Sequence, residues 1–288
     1  MAVVRHVFHT RHDFTPEFAW AAFQLLAGIG PTGLEMSELY AIAEGTASPL
    51  IKRADFGKLL GAMGQLGLTE RTYEHVSLSS AGETLAKSLG RYQAGFNVAI
   101  HCLYSWTWLW DGAANASPSW SYREVCRQLL DSGATGIEGD ELVLRVVSAA
   151  AKLFRAEKIS FSRSSVAGIT MWLEAQLPSL VQRIGSRIYT HTTSGPMADA
   201  LRLNLIALCA YNDGEATLNS QGLQLLAECF LISGDELMGH VTDFARASNE
   251  FLLIPSTPYK LVFTQSEDPF INWMMEFAKR PRLAGESA

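Results

Sequence analysis

The stretch from Leu34 to Leu89 narrows the choice of fold more than any other part of the chain. A short helical pattern, Met36–Glu44, ends in the turn Gly45-Thr46-Ala47-Ser48-Pro49. A second helical run covers Lys52–Leu66. Its Phe56, Leu59, Leu60 and Met63 fall at spacings of three, one and three, which places them on one helix face. Gly67 follows as a C-cap glycine, where positive φ is tolerated. Leu68–Tyr73 and Glu74–Leu78 are short enough to form a hairpin. Ser79 then caps a further helix with Glu83 in its first turn. Helix, turn, helix, two-stranded wing, helix is the winged-helix order, in which the second helix can enter the DNA major groove. Lys52, Arg53 and Lys58 lie on or near its polar side, and Arg71 sits on the wing. Many winged helices bind proteins instead, so scaffolding stands beside nucleic-acid contact as a reading of this unit.

A chain of 288 residues suits two or three domains. Its 48% hydrophobic content supports real cores, and 18% charged residues argue against a disordered chain. No apolar run reaches the roughly 18 residues of a membrane span. The N-terminus MAVVRHVFHTRHDF lacks the apolar centre of a signal peptide. Cys102, Cys126, Cys209 and Cys229 are far apart and form no C-x-x-C pair. They read as reduced core thiols of a cytoplasmic protein, with a disulfide or zinc site as the weaker alternative.

The net charge of −6 opposes nucleic-acid binding until its distribution is considered. Residues 1–100 carry 8 Lys/Arg and 9 Asp/Glu, residues 101–195 carry 9 and 8, and residues 196–288 carry 6 and 12. The acidic excess therefore lies in the last third. Between Arg145 and Arg187 stand 7 basic residues (Arg145, Lys152, Arg155, Lys158, Arg163, Arg183 and Arg187) against Glu157 and Glu174. That run reads as a phosphate-facing patch, or more plainly as a solvated helix face.

Elsewhere the signals are local. His6, His9 and His12 recur every third residue, a spacing that fits no helical metal pair and suits an N-terminal arm. Thr15 and Pro16 open a helix as cap and first residue. Arg91–Asp111 is apolar and aromatic on nearly every side, which favours burial between domains over base stacking. A two-helix unit follows, Ser121–Leu130 and Glu141–Arg155. Lys158–Ser165, rich in hydroxyls and cations before a helix, suits an anion or an ordinary capped linker. Val166–Arg183 reads as a helical run broken at Pro178, and Ser186–Pro196 as a polar connection. From Met197 the first pattern returns: three helices, a hairpin at Phe251–Phe263 and a last helix, Pro269–Ala278.

No phosphate loop, nucleophile elbow, H-E-x-x-H or nuclease triplet occurs, so the chain supplies no catalytic motif and implies no cofactor. Phe8, Arg11, His12, Phe14, Pro16, Phe18 and Trp20 form an N-terminal pattern, and Leu78, Ser79, Gly82 and Glu83 a wing exit. With the aromatic helix and the element order, these residues resemble an uncharacterised bacterial family of winged-helix proteins. Its genes lie beside phosphoadenosine-phosphosulfate-reductase-like genes in phage-defence and DNA-phosphorothioation islands. The resemblance implies a DNA-associated accessory role without catalytic residues.

The expectation is a mainly α chain with two winged-helix-like units, residues 1–90 and 196–288, flanking a helical middle domain, 91–195. It would bind double-stranded DNA through Lys52, Arg53, Lys58, Arg71, Arg145, Lys152, Arg155, Lys158, Arg163 and Ser165. Its acidic C-terminal domain would meet a protein partner or a second copy. The competing expectation is a scaffold subunit without DNA contact, marked by an exposed apolar patch along Trp106–Trp120.

Overall fold

Capping chemistry starts the first helix where the sequence places it. The computed structural model describes residues 4–5, 14–45, 53–73, 75–110, 118–155, 158–191 and 196–278. After a short strand β1 (Val4–Arg5), helix α1 (Pro16–Ile29) begins with Thr15 Oγ1 accepting from the Phe18 N–H at 3.3 Å. Strand β2 (Leu34–Glu35), α2 (Met36–Gly45) and α3 (Arg53–Gln65) follow. On α3 the predicted stripe of Phe56, Leu59, Leu60 and Met63 is buried. Gly67 takes φ 75° and turns the chain into β3 (Thr69–Thr72), which pairs with β4 (His75–Leu78). Ser79 accepts from the Gly82 N–H at 3.1 Å and donates to the Gly67 carbonyl, tying the start of α4 (Ser80–Leu89) to the end of α3. At Gly82 a Cβ would fall 2.1 Å from the Leu68 carbonyl oxygen, so this close approach needs glycine.

Helix α5 (Gln93–Trp110) is the axis of the molecule. Every residue from Gly95 to Trp106 is buried, because α6 (Pro118–Ser132) and α9 (Ala198–Tyr211) pack along it. The aromatic side chains Phe96, Tyr104, Trp106, Trp108 and Trp110 are therefore core and offer no stacking platform. Trp106 Nε1 donates to Asn204 Oδ1 at 2.8 Å, so its polar edge is satisfied as well. His101 lies buried on the same helix. Its Nδ1 stands 2.7 Å from the Tyr122 hydroxyl and its Nε2 2.9 Å from the Cys229 carbonyl. A carbonyl only accepts, so Nε2 carries the proton and Nδ1 accepts from the tyrosine.

The middle of the chain departs from the helical reading. After α6 come a short 3-10 turn (Gly133–Thr135), β5 (Ile137–Glu138), α7 (Gly139–Phe154), β6 (Lys158–Ile159) and α8 (Arg163–Glu174). The chain then forms a hairpin, β7 (Val181–Ile184) and β8 (Arg187–Thr190), where the sequence suggested a broken helix and a polar connection. The last third adds β9 (Glu215–Thr217), α10 (Ser220–Phe230), α11 (Gly234–Ala247), β10 (Phe251–Ile254), β11 (Lys260–Phe263) and α12 (Pro269–Ala278); its helices and hairpin follow the predicted order, and β9 is an addition to it.

The chain is thus mainly helical, with small sheets. One arrangement recurs three times. A helix leads to a short strand, two helices and a hairpin, and the short strand pairs with the second hairpin strand. The sheet orders are β2-β4-β3, β5-β8-β7 and β9-β11-β10, all antiparallel. Beyond α5, the ends bind these parts together. Strand β1 pairs with β6 in parallel, Trp172 Nε1 donates to the Phe14 carbonyl at 2.8 Å, and α12 packs on α4 and α9.

The four cysteines are free and buried, and burial pushes Cys209 and Cys229 up to about 12. No helix among the described residues is long and apolar enough to cross a membrane. His6, His9 and His12 lie outside the described residues.

Candidate nucleic-acid interface

Three arginines from three elements converge on the first turn of α7. Arg145, one turn along α7, holds Glu141 at 2.6 Å. Arg163, the first residue of α8, makes a two-pronged contact with Asp140. Arg187, on β8, holds Glu138 at 3.2 Å and donates to the Thr135 carbonyl at 3.0 Å. The acids stand at a helix N-terminus, where the helix dipole favours negative charge. Hydrogen bonds from Ser186 and then Arg187 hold Glu138 below the usual carboxylate range, and Arg163 does the same for Asp140. Asp140 in turn raises Arg163.

This geometry corrects the charge argument. A count starting at Arg145 omits the three acids that the fold returns to the cluster. Between Glu138 and Arg187 the 7 basic residues face 5 acidic ones (Glu138, Asp140, Glu141, Glu157 and Glu174), a net of +2. Arg183, on β7, is likewise held by Glu174 at 2.7 Å. The pairs nevertheless remain solvent-facing, and Arg163 leaves 74% of its side chain exposed. Exposed ion pairs of this kind are weak, so a phosphate can compete for their arginines.

The other predicted residues divide by position. Lys152, in the last turn of α7, and Arg155, its left-handed cap at φ 48°, are exposed; among the described residues neither side chain makes an ion pair or hydrogen bond. Lys152 and Arg145 line an open groove of about 710 Å³ between α6 and α7, with Arg127, Ser148, Leu144 and Leu153. Arg127 was not visible as a candidate, because Glu124 three residues earlier binds it through both oxygens and makes it look like an ordinary helix pair. Lys158 belongs to β6 and Arg53 opens α3, but their side chains are outside the described residues, as is all of Lys52. Lys58 is exposed on α3. Arg71 is exposed on β3, with Nε donating to the Tyr73 carbonyl at 3.0 Å. Ser165 is a correction: the residue is 1% exposed on the inner face of α8 and cannot meet a phosphate.

Among the described side chains of α3, residues 56–65, the exposed positions are Lys58, Gly61, Gly64 and Gln65. Such a surface allows close backbone approach but offers few groups for reading base edges. In the last third, Arg202 is bound by Glu250 at 2.6 Å and Lys260 by Glu215 at 2.7 Å, leaving Asp235, Glu236 and Asp243 exposed on α11. Among the described residues, no group of three or more His, Cys, Asp or Glu side chains is arranged to hold a metal ion.

No protein-family description matches the chain, and no curated protein is similar to it in sequence. Two solved structures share its fold. One, described as an SspB crystal structure, superposes with a TM-score of 0.59 at 13% identity, covering 96% of this chain and 90% of that one. The other, described as magnesium ion-bound SspB, gives 0.55 at 15% identity with the same coverage. At these identities the likeness concerns the fold.

Proposed function

We propose that this protein is a non-enzymatic accessory protein that binds duplex DNA within a bacterial DNA-modification or phage-defence system. The observation that carries the reading is the cluster around α7, where Arg145, Arg163 and Arg187 gather at one exposed end and Lys152 and Arg155 stand at the other. In this reading the three recurring sheet-and-helix arrangements are winged-helix units, with boundaries near residues 90 and 195. The middle unit, expected to be purely helical, is the main phosphate-contacting one. Lys58 and Arg71 of the first unit, with Lys52 and Arg53, extend the contact, and the acidic last unit receives a protein partner or a second copy. The fold shared with the SspB structures loosely fits an accessory role in DNA modification or defence.

Contact through cations predicts a strong salt dependence. In a fluorescence-anisotropy titration of a random-sequence duplex, affinity should fall steeply between low and moderate salt. A Lys152→Gln/Arg155→Gln chain should bind more weakly and lose about 0.9 of log–log slope for each phosphate contact removed. Negligible binding at low salt would overturn the proposal. An exposed apolar patch along Trp106–Trp120 would favour the scaffold alternative; among the described residues of that stretch, Trp106, Trp108, Trp110 and Trp120 are buried.

A further inference from the structure

The β7–β8 hairpin combines an exposed bulky aliphatic tip with two arginines, each held by a partly exposed carboxylate from outside the hairpin: Arg183 by Glu174 and Arg187 by Glu138. From Ala175 to Ala198 the chain carries Arg183 and Arg187 and no Asp or Glu, so the carboxylates on these arginines come from neighbouring elements, in exposed pairs weak enough for a phosphate to displace. Ile184 is 59% exposed, and it precedes the two-residue turn Gly185-Ser186, with Gly185 at φ 64°. The register pairs Ile184 with Arg187 and Gln182 with Tyr189. Paired residues share a sheet face, so Ile184, Arg187, Gln182 and Tyr189 lie together on the side opposite buried Ile188, with Glu138 of β5 across from Arg187 on that same face. The tip is also fixed in place. Ser186 O accepts from the Gly139 N–H at 3.2 Å, which seats the turn against the first turn of α7 and its arginine cluster. The first hairpin has a related tip, Tyr73 at 93% exposure beside Arg71, but Glu70 and Glu74 flank it. The third has no arginine.

We infer that the β7–β8 hairpin enters the minor groove of duplex DNA, with Arg187 on the groove's negative potential and Ile184 wedged against a base step, bending the duplex. Apolar side chains flanked by arginine do this in minor-groove proteins, where partial unstacking is exchanged for more protein–DNA contact. The inference rests on the duplex-binding reading above and adds the groove, the wedge and the bend to it.

The test uses the full chain and an A·T-rich duplex. One sample carries donor and acceptor dyes at its ends, and a second carries 2-aminopurine at central steps, with anisotropy reporting occupancy. The wild type should raise energy transfer, brighten 2-aminopurine at one or a few steps and be displaced by netropsin. Ile184→Ser, on an exposed site, should keep its thermal midpoint but, at saturating occupancy, lose the bend and the brightening. Arg187→Gln should weaken binding and flatten the salt slope by about one unit. Binding without bending by the wild type, or an Ile184→Ser chain that bends DNA like the wild type, overturns the wedge and leaves duplex binding standing. The absence of any binding overturns both.

Discussion

At His101, burial outweighs the chemistry of the free imidazole. Desolvation lowers it from 6.5 to about 4, even though the Cys229 carbonyl pulls the other way. The sign follows from linkage. The unfolded chain binds a proton below about pH 6.5 that the folded chain refuses until near pH 4, so acid favours unfolding. Stability from this residue is complete above pH 6.5 and shrinks as pH falls towards 4, by about 3 kcal/mol. Calorimetric midpoints across pH 4–7 should show this loss, and a His101→Gln chain should lose less over the same range. Residue-scale features of this kind were legible in the sequence only when their cause was local. Thr15, Pro16, Gly67 and Ser79 act on backbone groups within a few positions, so the sequence suffices to place them. Ser165 lies in a hydroxyl-rich stretch that resembles an anion site, yet neighbours distant in sequence bury it.

For whole elements, the same contrast explains the hairpin and the arginine cluster. The β7–β8 signal is present: Val181, Ile184, Ile188 and Tyr189 bracket Gly185-Ser186, a two-residue turn suited to a hairpin. Pro178 drew attention to a broken helix instead. The run of basic residues was legible, but the acids that pair with it were not, because Asp140 meets Arg163 across 23 residues and Glu138 meets Arg187 across 49. The first turn of α7 therefore acts as an internal competitor, with carboxylates occupying arginines that phosphates would use. An Asp140→Asn/Glu141→Gln chain should bind duplex DNA about two- to fivefold more tightly at low salt, since exposed pairs are weak and two repelling charges are gone. Unchanged or weaker affinity in the same anisotropy assay would show that these arginines do not reach DNA.

Across the whole molecule, α5 is what the sequence revealed best. A helix apolar on every side has to be covered on every side, and α6 and α9 supply the cover. The mainly helical fold and the hairpins at both ends followed from periodicity and turn residues. The third recurrence of the sheet arrangement did not, nor did the return of α12 onto α4, because neither leaves a periodic trace. The recurrence matters for charge. It gives the middle of the chain a sheet and a hairpin that carry Arg183 and Arg187 beside the α7 end, while the carboxylates of the last third stay on another part of the chain. Duplex binding through that middle cluster is tested most directly by the salt dependence of an Arg145→Gln/Arg163→Gln/Arg187→Gln chain against the wild type. The account predicts a log–log slope flatter by about 2.7, from three phosphate contacts at about 0.9 each, with the thermal midpoint preserved. A slope equal to that of the wild type would contradict it.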